Sequence, residues 1–318
     1  MGKINKILSI IIISVIIGAM ASGCGTNPAM TKSNQEAVSA SSQIKENAKV
    51  SYLGPEGTYT EEATQYFFQN GAAFIPETTV QKAIEAVVSG NADYAVIPQE
   101  NTLGGAVTNY VDALIAQNNV FVVGEVILPI SQTLMGIPGA TVDDIRLVCS
   151  HAQGIKQSEK WRKEHLPNVQ TQEMDSTAAA ASYVAETGDK TIAAIAAPGA
   201  AKLYDLSVLA ENVQITDANK TRFYVLSTAK LNEEKHTRAS FVATCEASKI
   251  DDIIVEIHNA GLELVTIHDR PEGSRLGSYH YIIEVENQNG ITESQIKEIE
   301  KITEIRFLGS FDAIEKHS

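Results

Sequence analysis

Cysteine is scarce in this chain of 318 residues, with three in all. Cys149 and Cys245 fall in different predicted domains, and no spacing typical of metal ligands joins them to other cysteines or histidines. This scarcity argues against a disulfide-stapled fold and against a zinc module. We interpret the two residues as buried, small apolar side chains rather than as a disulfide. The sequence predicts no metal site.

Positive charge is also scarce, because 25 Lys and Arg stand against 39 Asp and Glu, for a formal net charge of −14. Binding to nucleic acid needs a basic patch, and the sequence shows none, so we expect no nucleic-acid partner. One or two basic side chains still suffice to hold the carboxylate of a small anionic ligand. The length and the ordinary globular composition indicate about two domains.

Several signature motifs are missing as well. There is no GxGxxG after the first strand, no long P-loop, no GxSxG and no HExxH. The chain therefore gives no indication of a bound dinucleotide, a serine nucleophile or a catalytic zinc ion, and we expect no cofactor. Hydroxyls, amides, helix N-termini and single arginines remain. Such groups suit binding an acid and assisting the departure of a neutral or hydroxide group.

The apolar run at residues 7–20 has about 14 residues, short of the roughly 20 that a membrane-spanning helix needs. Lys3 and Lys6 precede this run and small residues follow it, which is typical of a secretory signal. The sequence Ala-Ser-Gly-Cys at its end resembles the bacterial lipobox, with Ala21 where Leu is usual. We therefore predict a lipoprotein signal peptide over residues 1–24 with lipidation at Cys24. The alternative is an uncleaved anchor.

Residues 25–49 are rich in Ser, Asn, Gln, Ala and Lys and lack aliphatic periodicity, which predicts a flexible linker. Together with the signal peptide, this linker predicts an extracytoplasmic protein that is lipid-anchored to the cell membrane. Contact with the membrane is expected only through that anchor.

Strands alternate with helices over residues 50–230, which predicts a mainly parallel α/β sheet. Ligands bind beyond the carboxyl ends of the strands in such sheets. Polar residues collect at these predicted ends. They are residues 54–58, residues 98–102, Ser150 with His151, Ser176 with Thr177, and Thr221 with Arg222. Residues 237–318 change rhythm to βαββαβ, which predicts a small ferredoxin-like domain.

Thr221 and Arg222 stand directly before the apolar strand that contains Phe223. We interpret the hydroxyl and the guanidinium as an anion site with a catalytic hydroxyl, and a solvated strand end is the alternative. His151 is the one histidine at a predicted strand end, and loop capping is its alternative role.

Five segments in order resemble the motifs of prephenate dehydratases. GPEGTYT at residues 54–60 resembles GPxGTFS, PQENTLGG at 98–105 resembles PxENSxxG, and SHAQ at 150–153 resembles SHPQ. DST at 175–177 resembles the family's strand-to-helix Ser-Thr turn, and NKTRF at 219–223 matches NxTRF. The resemblance implies a catalytic domain of two lobes, similar to periplasmic binding proteins. Its expected reaction is the loss of CO2 and water from prephenate, which yields phenylpyruvate in phenylalanine biosynthesis.

The resemblance also implies roles for single residues. Thr221 would donate a hydrogen bond to the departing hydroxyl. Arg222 and helix amides near Thr58 and Ser176 would orient the carboxylates, and Phe223 would pack behind them. The remaining substrate-binding candidates are Asn101, Thr102, Thr177 and His151. Turn or N-cap duty is the alternative for Thr58, Thr102 and Ser176.

The second domain resembles the ACT module that binds phenylalanine in this family. LELVTIHDRP at 262–271 stands where the family has INLxxIESRP, and FLGSF at 307–311 resembles its terminal LGSY. Asp269 and Arg270 are the implied effector-binding residues, and ACT pairing implies a homodimer. The family's GAL motif is missing, since Ala-Ser-Lys-Ile stands at residues 247–250. A dimerisation platform without an effector is therefore the alternative.

Two other functions remain open at this point. One is an exported lipoprotein that binds an aromatic or dicarboxylate ligand without turnover. The other is a dehydratase for arogenate, which carries an amine where prephenate carries a ketone.

Overall fold

The computed structural model describes residues 44–68, 71–231, 235–302 and 304–317. The predicted signal peptide, including Cys24, and most of the predicted linker lie outside the described residues. The packed part of the chain begins before residue 50, because Ile44 packs against the apolar core and Ala48 is 1% exposed. The predicted linker therefore extends too far at its C-terminal end.

The first part of the described chain contributes five strands and three helices to the first lobe. They are β1 (Lys49–Leu53), α1 (Tyr59–Phe67), β2 (Ala73–Glu77), α2 (Val80–Val88), β3 (Tyr94–Asn101), β4 (Gly105–Ala106), α3 (Thr108–Ile115) and β5 (Phe121–Pro129).

The second lobe is built from the next stretch of chain. Its elements are β6 (Thr133–Gly136), β7 (Leu147–Ser150), α4 (Ala152–Gln157), α5 (Glu159–His165), β8 (Gln170–Glu173), α6 (Thr177–Thr187), β9 (Ile192–Ala196), α7 (Pro198–Leu203) and β10 (Ser207–Ala210). A 3-10 turn at Val142–Asp144 precedes β7.

The chain then returns to the first lobe and continues into a C-terminal unit. The return strand is β11 (Lys220–Ser227). The later elements are β12 (Arg238–Glu246), α8 (Ile250–Asn259), β13 (Glu263–Pro271), β14 (Ser278–Glu286), α9 (Glu293–Glu300), β15 (Ile305–Phe311) and β16 (Ala313–Glu315).

Three sheets follow from this order. The first runs β16-β5-β11-β3-β1-β2, with β4 beside β3, and the second runs β10-β6-β9-β7-β8. The third runs β13-β14-β12-β15 and is antiparallel throughout. The chain crosses between the lobes after β5 and again before β11, so a cleft lies between two α/β layers. The expected α/β class and two-lobed, periplasmic-binding-protein-like architecture are confirmed. The prediction of a mainly parallel sheet is wrong, because both lobes have mixed sheets in which β11 runs antiparallel to β3 and β5, and β6 antiparallel to β9 and β10.

The third sheet has two different faces. Phe241 and Ile283 pack on one face against Ile253 and Ile257 of α8. Residues on the other face, among them Val242, Ile282 and Leu308, pack against Tyr110 and Tyr224 of the first lobe. The C-terminal unit is therefore seated directly on the back of the first sheet, on the side away from the cleft.

The strand β16 leaves the C-terminal unit and joins the first sheet, where it pairs in parallel with β5. Gly309 permits the close approach just before it. Its φ is 141°, and a Cβ at this position would lie 2.2 Å from the carbonyl oxygen of Val122. A side chain here would push the C-terminal unit off β5.

Candidate active site

A cavity of about 590 Å³ lies between the two lobes, at the carboxyl ends of β1, β3, β7 and β8 and at the start of β11. Most of the residues predicted from the polar strand ends meet here. Of the candidates, Thr58, Asn101, His151, Ser176, Thr177, Thr221 and Phe223 line the cavity. These residues come from both lobes, so the folding of the two layers assembles the site.

Thr221 is held by Asn101, its register partner on the neighbouring strand β3. Asn101 Nδ2 donates to Thr221 Oγ1 at 2.9 Å. Asn101 Oδ1 accepts from the backbone N–H groups of Leu103 and Gly104, which fixes the orientation of the amide. Since Thr221 Oγ1 is an acceptor in this bond, its own proton remains available for a ligand in the cavity.

Three further amides extend this arrangement, and sequence reasoning assigned none of them a role. Gln157 Oε1 accepts from Gln132 Nε2 and from Asn219 Nδ2, both at 3.1 Å. Asn219 Oδ1 in turn accepts from Asn101 Nδ2 at 2.8 Å. Because both bonds to Gln157 reach its oxygen, its Nε2 group is left to donate into the cavity that Gln157 lines. Asn219 belongs to the NKTRF motif, whereas nothing in the sequence marks Gln132 or Gln157.

Several helix N-termini border the cavity, and those of α1 and α6 are capped by hydroxyls that were predicted to bind substrate. Thr58 is the N-cap of α1, with its Oγ1 accepting from Glu61 N at 3.3 Å, and Ser176 is the N-cap of α6, with its Oγ accepting from Ala179 N at 2.9 Å. Both side chains thus perform the capping duty considered as their alternative role, and both also line the cavity. The first N–H groups of a helix have no partner within it and carry partial positive charge, which favours an anion.

The two N-termini differ in charge. In α1, the carboxylate of Glu61 accepts from Gly57 N at 2.5 Å and so partly neutralises the helix terminus. The first turn of α6 has no acidic residue. Thr177, the first residue of α6, lines the cavity, so this helix is the stronger candidate for binding an anion.

The charges around the cavity are few. Asp175 is the only carboxylate of the described lining, which contains neither lysine nor arginine. His151 caps the short helix α4, with its Nδ1 accepting from Gln153 N at 3.3 Å. Gln153 also bridges the lobes by donating from Nε2 to Asn101 Oδ1 at 3.2 Å. Among the residues with assigned positions, no group of three or more His, Cys, Asp or Glu could hold a metal ion.

Arg222 does not line the cavity, which differs from its expected role as a carboxylate clamp. Side chains alternate along a strand, so Thr221 and Phe223 face the cleft while Arg222 faces the C-terminal unit. There Arg222 forms ion pairs with Glu125 and Glu284, both of them fully buried. The guanidinium is consequently engaged on the back of the sheet.

Thr102 also lies outside the described lining. Its Oγ1 accepts from Lys220 N at 2.8 Å and donates to Ala218 O at 3.0 Å. The hydroxyl thus joins the end of β3 to the start of β11, rather than pointing at a ligand.

The two candidate effector residues do not line the cavity and lie on the outer strand β13. Arg270 forms two hydrogen bonds to the carboxylate of Asp112 on α3, at 2.5 and 2.8 Å, and Asp269 is exposed. Neighbouring His268 is buried against Tyr110, and this burial lowers the pKa of its imidazole. The segment that resembles ESRP is thus partly occupied in contacts with the first lobe.

The apolar part of the lining includes Leu53, Pro98, Ile130 and Phe223. Tyr59 also lines the cavity and donates to Ser131 O at 2.9 Å. Burial raises the pKa of the Tyr59 phenol well above its usual value, so this group stays protonated. The cavity combines a polar edge with an uncharged, largely apolar wall.

Residues 50–231 match the family described as prephenate dehydratase. This chain belongs to the prephenate dehydratase family. The prephenate dehydratase of Bacillus subtilis is 31% identical over 281 residues, which cover 83% of this chain and 99% of that protein. The bifunctional chorismate mutase/prephenate dehydratase of Aquifex aeolicus is 30% identical over 282 residues, covering 87% of this chain and 77% of that protein.

A solved structure agrees with this membership. The prephenate dehydratase of Arthrobacter aurescens, crystallised in complex with L-Phe, is 32% identical, with a TM-score of 0.75 over 83% of this chain and 90% of that one. The predicted enzyme class, a carbon–oxygen lyase of aromatic amino acid biosynthesis, is confirmed by these prephenate dehydratases. The alternative of a lipoprotein that binds without turnover is not favoured.

The predicted extracytoplasmic, lipid-anchored location is wrong by the same comparison. The relatives that cover most of this chain are named as prephenate dehydratases, enzymes of aromatic amino acid biosynthesis, and not as exported or anchored proteins. The apolar run and the small residues before Cys24 led to the prediction, and they lie outside the described residues. No helix in the described ranges is both long and apolar enough to cross a membrane.

Proposed function

We propose that this chain converts prephenate to phenylpyruvate in the cavity between its lobes, with Thr221 donating a hydrogen bond to the departing hydroxyl. The bond from Asn101 Nδ2 to Thr221 Oγ1 carries this proposal. It fixes the threonine oxygen as an acceptor and leaves its proton free to be donated. A hydroxyl is a weak acid, which suffices because aromatisation drives the reaction.

Positioning does most of the remaining work. Prephenate must lose a carboxylate and a hydroxyl from one ring, so the two groups have to be held in register rather than attacked by a nucleophile. Asn101, Gln157 and Asn219 supply a connected edge of amides beside Thr221. Because each amide is held by another, the donors are oriented before the substrate arrives, which is the condition for electrostatic stabilisation of a transition state.

In this proposal, the substrate carboxylates bind at the N-terminus of α6. Ser176 caps that helix and Thr177 begins it, and both line the cavity. The anion is held by backbone dipoles rather than by Arg222. A dipole neutralises less charge than a guanidinium would, so the carboxylate that must leave as CO2 is not trapped by a strong ion pair.

The uncharged wall assists decarboxylation. Pro98, Ile130 and Phe223 border the same cavity as the amide edge. A carboxylate placed against them loses part of its hydration, and the neutral CO2 that replaces it does not need that hydration.

Arogenate is the second candidate substrate. Asp175 is the carboxylate in the described cavity lining. Its negative charge is complementary to the ammonium group that distinguishes arogenate from prephenate. Equal concentrations of the two compounds, assayed separately, decide between them by the ratio of their kcat/KM values.

The deciding experiment uses the purified full chain and follows phenylpyruvate by its absorbance in base. We expect turnover of prephenate, and we expect Thr221→Ala to lower kcat about 100-fold with little change in KM. Thr187→Ala, at the exposed far end of α6, is the matched control and should behave as the wild type. Tight binding of prephenate without turnover would contradict the proposal.

We also propose that residues 50–230 form the catalytic domain and that residues 237–318 form an ACT-like domain through which two chains pair. The βαββαβ order of β12 to β15 supports this assignment, as does a relative crystallised with L-Phe. Sedimentation measures the pairing. Added phenylalanine should inhibit turnover and raise the melting temperature. If phenylalanine has neither effect, the domain is a dimerisation platform without an effector.

A further inference from the structure

Four charged side chains form a buried cluster between β5, β11 and the sheet of the C-terminal unit. Glu125 and Glu284 are 0% exposed, while Arg222 and Arg238 keep 14% and 17% of their side-chain surface. Arg238 Nη1 lies 2.5 Å from Glu125 Oε2 and 2.9 Å from Glu284 Oε1. The cluster lies on the opposite face of β11 from the cavity, and the proposed chemistry does not use it.

Glu284 of the C-terminal unit forms hydrogen bonds to several side chains of the first sheet. Its Oε1 accepts from Arg222 Nη2, and its Oε2 accepts from Tyr224 OH at 2.6 Å and from Gln99 Nε2 at 3.3 Å. Arg222 and Tyr224 belong to β11, and Gln99 belongs to β3. One carboxylate of β14 thus holds the two strands that carry Thr221 and Asn101.

Glu284 contacts the two strands where the pairing between β11 and β3 is interrupted. Arg222 pairs with Glu100 and Phe223 with Pro98, so the register shifts between them and Gln99 is left without a partner on β11. A bulge interrupts the ladder and bends the strand locally. On its other side, β11 keeps a regular pairing with β5 from Lys220 to Val225. The side chains behind the sheet therefore act where the position of β11 relative to β3 is least fixed by backbone pairing.

We infer that Glu284 is a positioning residue for the dehydration: by holding Arg222 and Tyr224 it fixes β11 so that Thr221 Oγ1 stays on Asn101 and faces the substrate. This inference rests on the proposed function. Stability alone does not require such a cluster, since buried ion pairs can often be replaced by apolar side chains without loss of stability. A shift of about 1 Å in a reacting group can cost on the order of 100-fold in rate, so a residue behind the strand can matter to catalysis.

The test is a double-mutant cycle in the full chain. Glu284→Gln should lower kcat about tenfold and leave KM within about twofold, since substrate binding on α6 is untouched. In the Thr221→Ala background, Glu284→Gln should change kcat by less than about twofold, because the group it positions is already gone. Equal losses in both backgrounds would indicate a merely structural effect and would overturn the inference.

Two further variants separate positioning from stability. Tyr224→Phe keeps every charge of the cluster and removes the 2.6 Å bond to Glu284 Oε2 together with the 2.9 Å contact between Tyr224 OH and Ser240 Oγ. It should lower kcat about threefold with the same dependence on Thr221. If Glu284→Gln does not fold, this milder variant completes the cycle and decides by the same criterion. Asp112→Asn breaks the exposed ion pair with Arg270 between the same two units and should leave kcat unchanged.

The wild type separates this inference from the proposed function. If the wild type does not turn over prephenate, the proposed function is overturned and the positioning falls with it. If the wild type turns over prephenate but the two losses multiply independently, only the positioning role of Glu284 is overturned.

Discussion

The two faces of β11 differ in charge, although the residues on them alternate along the chain. On the cleft face, Thr221 and Phe223 offer a hydroxyl and an apolar ring to a cavity without lysine or arginine among its described residues. On the back face, Arg222 and Tyr224 enter a cluster with two fully buried carboxylates. Fixed charge is thus kept one residue away from the chemistry. The comparison shows how ion pairs can fix a strand in place without contacting the substrate.

Arg222→Ala should have the largest effect on this comparison. It leaves Glu125 and Glu284 buried with only Arg238 opposite them, and removing one partner of a buried pair costs about 3–5 kcal/mol. We expect a lower urea midpoint of unfolding and a kcat that falls more than KM rises. A variant as stable as the wild type that fails only to bind prephenate would instead place Arg222 on the cleft side.

Glu125→Gln tests the back face through pH. Burial, followed by the nearby charge of Glu284, raises the pKa of Glu125 from 4.5 to about 7. Between these values the folded protein holds a proton that the unfolded chain has lost, so stability falls as pH rises from about 4.5 to 7. The loss is complete above pH 7 and amounts to at most about 3 kcal/mol.

Urea unfolding at pH 5 and pH 8 measures this effect. The free energy of unfolding should fall more steeply with pH in the wild type than in Glu125→Gln. Glu159→Gln, which removes a fully exposed carboxylate whose pKa is lowered by Lys163, should keep the slope of the wild type in this range. Parallel slopes for wild type and Glu125→Gln would mean that Glu125 stays ionised throughout.

Ser176→Ala has the smallest expected effect and tests whether the N-terminus of α6, on the cleft side, binds a substrate carboxylate. Loss of an N-cap costs about 1 kcal/mol of stability, and Thr79→Ala, which removes the cap of α2, should cost the same. Only Ser176→Ala should raise KM, because only that helix terminus is proposed to hold a substrate carboxylate. The melting temperature and KM of both variants check this, and an equal KM in both would contradict an anion site on α6.

The sequence located the polar edge of the site better than it located the charges. Thr58, Asn101, Ser176 and Thr221 could be found because each stands at the end of an apolar strand or before a helix. Arg222 stands beside Thr221 in the chain, yet the period of two in a strand places it on the other face. Assigning it to the back face instead required knowing that another sheet covers that face.

Other residues were hidden for a different reason. Gln132, Gln157 and Asn219 become a unit only through contacts between segments distant in sequence, and no local pattern marks such contacts. Glu125 and Glu284 did leave a signal, because each interrupts an apolar strand, VFVVGEVILP and SYHYIIEVE. A carboxylate in the interior of a buried strand indicates a partner of opposite charge on the same face.

The last described strand also constrains how the chain is made. β16 completes the edge of a sheet whose other members lie before residue 228, and Ala313 pairs with Glu125. The first lobe emerges early from a ribosome, but the edge of its sheet at β5 stays uncovered until roughly 190 further residues have been translated. Until then, an apolar strand with free hydrogen-bonding groups is exposed to neighbouring nascent chains. A chaperone that shields that edge would protect this protein more during translation than after its release.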